Sequence, residues 1–460
     1  MTYPPNVRTA PQHVPAQPPA PVPAPRRSPW SGSAARLRAA ATTEPGRLQI
    51  LGALLALLVL AFGAVTSVEI SDRTAAADDV VSRSQPLSAE AANIYRSLAD
   101  ADTAAASGFL AGAEEPDDVR ARYEKDIKDA SRLLVKAAST TDASSPSGQE
   151  IATLNQGLPR YTGLIERARA NNRQGLPLGG AYLRYANQEM SGELLPAAER
   201  LYTAETGRLD RDYDSARAWP FFSLGLGAVA LGGLFWAQRR NYRRTNRVFN
   251  HGLLVATAAS TVLLLWLAVG HTVARAELQD ADVRGQQSLD VLNQARINSL
   301  KARANELLTV VARGAVLTAD GRNDKYETDY STGMKALGEE LGTARRLADD
   351  SQGGAPVTSA INGVSEWQGR HRTARKTDDN GDYEGTLKQI IGAKDSTGES
   401  FNRVDGALEK ALAHEQGEFT RAAEDGRGAL GGLPVGAAAL AVLAAVAAIV
   451  GVNRRLSEYR

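Results

Sequence analysis

Two hexapeptides carry the chemistry most worth weighing in this chain. Arg122-Tyr123-Glu124-Lys125-Asp126-Ile127 recurs, nearly unchanged, as Lys325-Tyr326-Glu327-Thr328-Asp329-Tyr330. A phenol beside a cation suits recognition of a partner surface or of a small anionic ligand. Acids in the early turns of a helix have a plainer role, because Glu124, Asp126, Glu327 and Asp329 would offset the positive end of the helix dipole. A tyrosine there also packs its ring between helices and leaves its hydroxyl wet. Both readings stand at the level of sequence.

Other chemistry is scarce. His13, His251, His271, His371 and His414 are scattered, with no HExxH or comparable spacing, so no metal site is expected. Absence of cysteine removes thiol catalysis, thiolate-held metals and disulfides. The glycines of "SLGLGAVALGG" lie in an apolar run and follow no strand, so they form no phosphate loop. These readings argue against an enzyme, and no cofactor is expected.

Four apolar runs without a charged side chain frame the hexapeptides: residues 48–68, 219–237, 249–269 and 431–452, the last counted from its small-residue start. Each is about 30 Å long as a helix, the thickness of bilayer hydrocarbon. Buried core helices are the alternative. The flanking charge favours spans: residues 1–47 hold six arginines against Glu44, the loop 238–248 holds Arg239, Arg240, Arg243, Arg244 and Arg247 with no acid, and the tail 453–460 ends in Arg454, Arg455 and Arg460. These three are expected on the cytoplasmic side. Segment 69–217 carries 18 basic against 24 acidic residues and segment 272–428 carries 21 against 26, so both are expected outside. The first run is long for a signal peptide, although Ala61, Gly63 and Ala64 keep that alternative open. The basic loop is a topology determinant facing anionic lipid or a docking site.

Residues 1–47 contain eleven of the twenty prolines, as in "PPAPVPAPRRSP", and read as a disordered cytoplasmic arm. Segments 69–218 and 270–430 show apolar residues at helical spacing, such as Leu300, Ala304, Leu307 and Val311, and no sustained alternation. Breakers such as "GAEEP", "TDASSPSG" and "RQGLPLGG" divide the first into four helices, and "ADGRND", "SQGGAP" and "DDNG" divide the second. The expected fold is therefore an all-α membrane protein with four transmembrane helices and two tandem extracytoplasmic antiparallel four-helix bundles, whose first and last helices continue as spans.

Matching positions run at nearly constant offset: Ser97-Leu98 on Ser299-Leu300, the hexapeptides, Tyr161 on Trp367, and Gly192-Glu193 on Gly398-Glu399. That collinearity reads as a duplication. It places both hexapeptides just after the first turn at the distal tips. Near them should gather Phe109, Arg122, Tyr123, Arg167, Arg169, Tyr182, Arg184 and Tyr185 in one bundle, and Arg313, Lys325, Tyr326, Tyr330, Arg375 and Tyr383 in the other. Asp102 aligns with the core-facing Ala304, so it either points inward, which is costly unless paired, or turns to solvent. Ala228, Gly232, Gly432 and Gly436 are small residues at helical spacing, suited to helix packing or to contact with a second copy of the chain.

Tandem helical bundles, four spans, a basic Pro-rich arm and no output domain resemble the GlnX family of actinobacterial membrane proteins. The resemblance covers essentially the whole chain, rests on architecture, and carries over no site residue. It implies a transducer at the plasma membrane, engaged outside by a solute-binding lipoprotein of the GlnH type and answered inside by a kinase of the PknG type. Membrane lipids are the other expected partner, and nucleic acid is not one. The leading reading is a non-enzymatic sensor; a structural scaffold of an envelope or transport complex is the alternative.

Overall fold

The computed structural model describes residues 44–245 and 250–456. Most of the Pro-rich arm and Arg247 of the basic loop lie outside them. The described residues form helices and turns, with no strand beyond one isolated bridge between Leu317 and Asp324. The first half runs α1 (Glu44–Asp79), α2 (Gln85–Leu110), α3 (Asp117–Thr140), α4 (Pro146–Arg173), α5 (Leu178–Glu189), α6 (Leu195–Arg217) and α7 (Phe221–Thr245). The second runs α8 (His251–Asp280), α9 (Gln287–Ala312), α10 (Lys325–Leu347), α11 (Ser351–Asp379), α12 (Tyr383–Ile391), α13 (Thr397–Leu430) and α14 (Leu433–Leu456). The same order of elements thus recurs, and α2 and α9 are each 26 residues long.

Four of the helical stretches are long and apolar enough to cross a membrane. Their apolar parts pack α1 on α14 and α7, and α8 on α14 and α7. Glycine allows the closest approaches. A Cβ on Gly63 would come within 2.0 Å of the Ala441 Cβ, and one on Gly252 would meet the Gly451 Cα at 2.4 Å. The small residues singled out by spacing behave differently: Gly232 has open space around it, and Gly436 lies under the Trp266 ring. Gly432 is no helix-packing position, since its φ of +77° makes the turn before α14.

The rising helices pass from the apolar region into the bundles without a break, through π-helical turns at Val80–Ser84 and Ala281–Gln286. Gly46–Leu110 is 65 residues of continuous helix, and at 1.5 Å per residue it reaches about 100 Å. The returning helices, expected to be equally continuous, are interrupted. Pro220 lacks the N–H that would carry α6 into α7, and the positive φ of Gly432 turns the chain between α13 and α14. The groups freed at the first break find partners: Arg73 Nε and Nη2 donate to the carbonyls of Ala218 and Trp219 at 2.6 and 3.0 Å, while Glu69 Oε2 accepts from the Ser223 N–H at 2.9 Å.

Helices α2, α3, α4 and α5–α6 form the first bundle, α5 joining α6 through a π turn at Met190–Leu194; α9, α10, α11 and α12–α13 form the second. The bundles are not separate bodies. Helix α2 packs directly on α9, and one apolar core runs through both, from Leu98, Leu134, Leu154 and Tyr161 to Leu300, Leu337, Trp367 and Phe401. Asp290 accepts from the Tyr202 hydroxyl across the junction, and Lys301 pairs with Glu199 at 3.6 Å.

Candidate functional site

The turns farthest from the apolar helices follow α2, α4, α9 and α11, as the helix order requires, and α3 and α10 begin beside them. The two hexapeptides sit at those starts, but their side chains do not form one exposed surface. Tyr123 and Tyr330 are buried. The Tyr123 ring lies under the Arg169 guanidinium at 4.2 Å, and the Tyr330 ring stacks on His371 at 3.9 Å. Burial pushes both phenols up. Lys325 pairs with Asp329 one turn on, and Tyr326 is half-buried. Tyr182 is half-buried with Arg167 5.9 Å from its ring, whereas Arg184 and Tyr185 are exposed. Tyr123 and Tyr330 therefore take the packing role, although they are not matched positions: Tyr330 stands where the first hexapeptide has Ile127, and Tyr326, the counterpart of Tyr123, is only half-buried.

Arg122 differs from its neighbours. Its Nε and Nη2 donate to both carboxylate oxygens of Asp100, at 3.0 and 2.6 Å, and its Nη1 reaches across to Asn402 Oδ1 at 3.1 Å. It thereby borders a cleft of about 330 Å³ between the bundles, also lined by Thr103, Ser107, Arg303, Glu399 and Phe401. The guanidiniums of Arg122 and Arg303 each stand 5.8 Å from the centre of the Phe401 ring. Glycine shapes the floor, because a Cβ on Gly398 would lie 2.9 Å from Arg303 Nη2.

Behind the cleft is a buried charge cluster that sequence reading did not find. Arg303 donates to Glu306, to Thr397 Oγ1 at 2.9 Å and to the Ile390 carbonyl at 3.1 Å. Glu306, wholly buried, also accepts from Trp367 Nε1 at 3.1 Å and from His371 Nδ1 at 2.9 Å. The other ring nitrogen of His371 faces Glu327 at 3.1 Å, and Arg375 pairs with Glu327 at 3.5 Å. Burial pulls the His371 imidazole down, but its hydrogen bonds to Glu306 and Glu327 outweigh that and hold it up at about 9. Burial would raise Glu306; Arg303 and His371 overcome it, and the carboxyl is lowered. Both shifts favour the charged forms of Glu306 and His371.

The first bundle places a different carboxylate in the corresponding region. Asp102 points inward, accepting from the Tyr161 hydroxyl at 3.1 Å and from Asn187 Nδ2 at 3.0 Å. Burial pushes it up to about 6 against those two bonds. Nearby Asp126 is pushed up to about 7 by burial and by the adjoining Asp100. Tyr161 and Trp367, the pair matched in sequence, thus each donate to one buried carboxylate. The cleft offers an anionic ligand two guanidiniums, each already bound on one side to a carboxylate, with hydroxyls and an amide, while Asp118 and Glu399 also line it. Glu399 does not oppose this strongly, since Arg370 Nη1 binds it at 2.8 Å.

At the opposite end of the molecule, Arg239 and Arg243 are exposed and Arg240 lies 5.4 Å from the Trp236 ring; the backbone of Arg244 continues α7. Sequence reading also missed one grouping near the α10–α11 turn, where Asp350, His414 and Glu418 converge. Only the His414–Glu418 spacing of four, which puts both on one helix face, was visible beforehand.

Residues 76–214 match the family model described as an actinobacterial sensor domain, a span that begins in the last turn of α1 and ends in α6, and so covers the first bundle. No curated protein and no solved structure matched the chain. Together with the four membrane-length apolar helices, the match supports a sensor-type actinobacterial membrane protein.

Proposed function

We propose that the chain is a non-enzymatic transmembrane signal transducer whose two bundles, arisen by duplication, stand outside the plasma membrane and whose termini and basic loop lie in the cytoplasm. One observation carries the proposal. Thr103 and Ser107 on α2 and Arg303 on α9 line the distal cleft, and both helices continue through π turns into apolar helices of membrane length. A small anionic ligand, or an acidic group presented by an amino-acid-binding lipoprotein, would bind between Arg122 and Arg303. Its binding would favour one packing of α2 against α9 over another, and rigid helices would carry that difference to the opposite side. A cytoplasmic protein, a Ser/Thr kinase on the resemblance noted above, would read the change at Arg239, Arg240, Arg243 and the short tail.

Thermal melting of the full chain in nanodiscs tests the recognition step. The probes are L-amino acids, dicarboxylates, inorganic phosphate and a purified solute-binding lipoprotein. At least one should raise the melting temperature of the wild type and leave Arg122→Ala unmoved from its own baseline. No shift with any probe would favour a structural scaffold.

A further inference from the structure

The end of the second bundle nearest the apolar helices holds a group of side chains that the distal cleft does not use. Asp350 caps α11, its Oδ1 accepting from the Gly353 N–H at 2.7 Å. Facing it on α13 are His414 and Glu418, one turn apart. His414 Nε2 lies 3.3 Å from Asp350 Oδ1 and 3.4 Å from Glu418 Oε1. This nitrogen is buried and makes no hydrogen bond.

The spacing is informative. A charge-assisted bond between an imidazole and a carboxylate would draw the atoms to about 2.7–2.9 Å. Two ligand atoms each about 2.0–2.1 Å from a shared tetrahedral ion sit roughly 3.3 Å apart. Both separations at His414 Nε2 fall at the second value, and the three ligand atoms lie within 4.8 Å of one another. Asp350 and Glu418 find their ion-pair partner only in His414 among the described residues. Further acids crowd the same place, since Asp349 and Glu415 stand beside Glu418. Glycine keeps the space open, because a Cβ on Gly353 would lie 2.9 Å from Glu415 Oε1, 3.3 Å from His414 Cδ2 and 3.6 Å from Asp350 Oδ1. A cavity of about 150 Å³, lined by Asp349, Glu415, Glu418 and Gly285 of the π turn, adjoins the group and has room for coordinating water.

We propose that Asp350, His414 and Glu418 form a binding site for a divalent first-row transition-metal ion. One imidazole nitrogen with two carboxylate oxygens suits zinc and its neighbours in the series, whereas magnesium prefers an octahedral, all-oxygen shell. The ion fastens the α10–α11 turn to α13 beside the π turn of the rising helix. The absence of a recognisable spacing in sequence is no obstacle, since Asp350 comes from a different helix.

The test is isothermal titration of the full chain, purified in detergent without a polyhistidine tag and dialysed against chelator, with ZnCl₂ and separately with MgCl₂. The wild type should take up one tight equivalent of zinc and no comparable magnesium. His414→Ala should abolish that equivalent, and Asp350→Asn, which keeps the helix cap, should weaken it by about tenfold or more. His13→Ala should retain it. Absence of a tight zinc equivalent in the wild type, or an undiminished one in a His414→Ala chain that melts normally, would overturn the proposal.

Discussion

Replacing Glu306 by Gln removes one negative charge from the centre of the second bundle and keeps the shape of the side chain. In the wild type this carboxylate, with none of its surface exposed, answers Arg303, His371 and the Trp367 indole. Arg303 and His371 are themselves buried; after the substitution Arg303 remains cationic, and His371 loses the first of the two carboxylates that hold its imidazole up against burial. Arg303 keeps only Thr397 and the Ile390 carbonyl, and His371 keeps Glu327. Removing one partner of a buried ion pair costs about 3–5 kcal/mol. For a bundle of this size that corresponds to roughly 6–20 °C in melting temperature.

The pH dependence of that loss follows from the two shifts. His371 is held above its unfolded value, so its contribution is complete below about 6.5 and fades as pH rises through about 9. Glu306 is lowered, so its contribution is complete above the ordinary glutamate range and fades as pH falls through the folded value. The difference between wild type and Glu306→Gln is therefore largest near neutral pH and narrows toward pH 10. Differential scanning fluorimetry of the detergent-solubilised chain at pH 5, 7, 9 and 10 measures it. A Glu306→Gln chain melting within about 1 °C of wild type at pH 7, well below the span expected for a broken buried pair, would refute the assignment of a buried, ionised cluster.

Other consequences can be checked alongside. Asp102→Asn should raise the melting temperature above pH 7, because the folded carboxyl titrates near 6 and its ionisation there costs roughly 3 kcal/mol at most. The wild type loses that stability as pH climbs from about 4 to 6, and the variant should lose less, with the contribution of Asp126 near pH 7 left in place. Tyr123→Ala should cost about 3–5 kcal/mol as a large core truncation, while Tyr185→Ala should stay within about 0.5 kcal/mol; equal effects would contradict their placement. Single cysteines at Ser145 and Ser359 should react with an impermeant maleimide on intact cells, and one at Thr245 should not; a labelled Thr245 would reverse the proposed topology.

Much of the architecture was legible because bilayer length and helical spacing are local signals. Four apolar runs became four membrane-length helices, and the breakers before Asp117 and Lys325 fell where helices begin, whereas "SQGGAP" forms the first turns of α11 and does not break it, Asp350 capping the helix just ahead of it. The inward turn of Asp102 was legible too, as one of two readings, from its alignment with Ala304. What escaped depends on contacts between distant segments. Glu306 meets His371 over 65 residues, and His414 meets Asp350 over 64, with nothing in either stretch to mark the partner. The shared core of the two bundles escaped for the same reason, since the residues joining α2 to α9 look like any helix interior. The π turns carry one extra backbone position without a distinctive residue. At the hexapeptides two readings stood open for the tyrosines; Tyr123 and Tyr330 went to the core, and of the hexapeptide residues Arg122 lines the cleft.

The central claim is that an event between the bundles reaches the far ends of the apolar helices. Position 52 on α1 and position 452 on α14 lie at that far end, where a Cβ on Gly52 would stand 3.0 Å from the Val452 Cβ. In a chain without native cysteine, Gly52→Cys with Val452→Cys gives a pair whose oxidation reports the packing of α1 on α14. The measurement is the rate of disulfide formation in nanodiscs, with and without whichever probe raises the melting temperature of the bundles. Signal transduction predicts that the rate changes on binding and that Arg122→Ala abolishes the change. An identical rate in both states, at a probe concentration that saturates the thermal shift, would show that binding stops at the bundles and contradict the account.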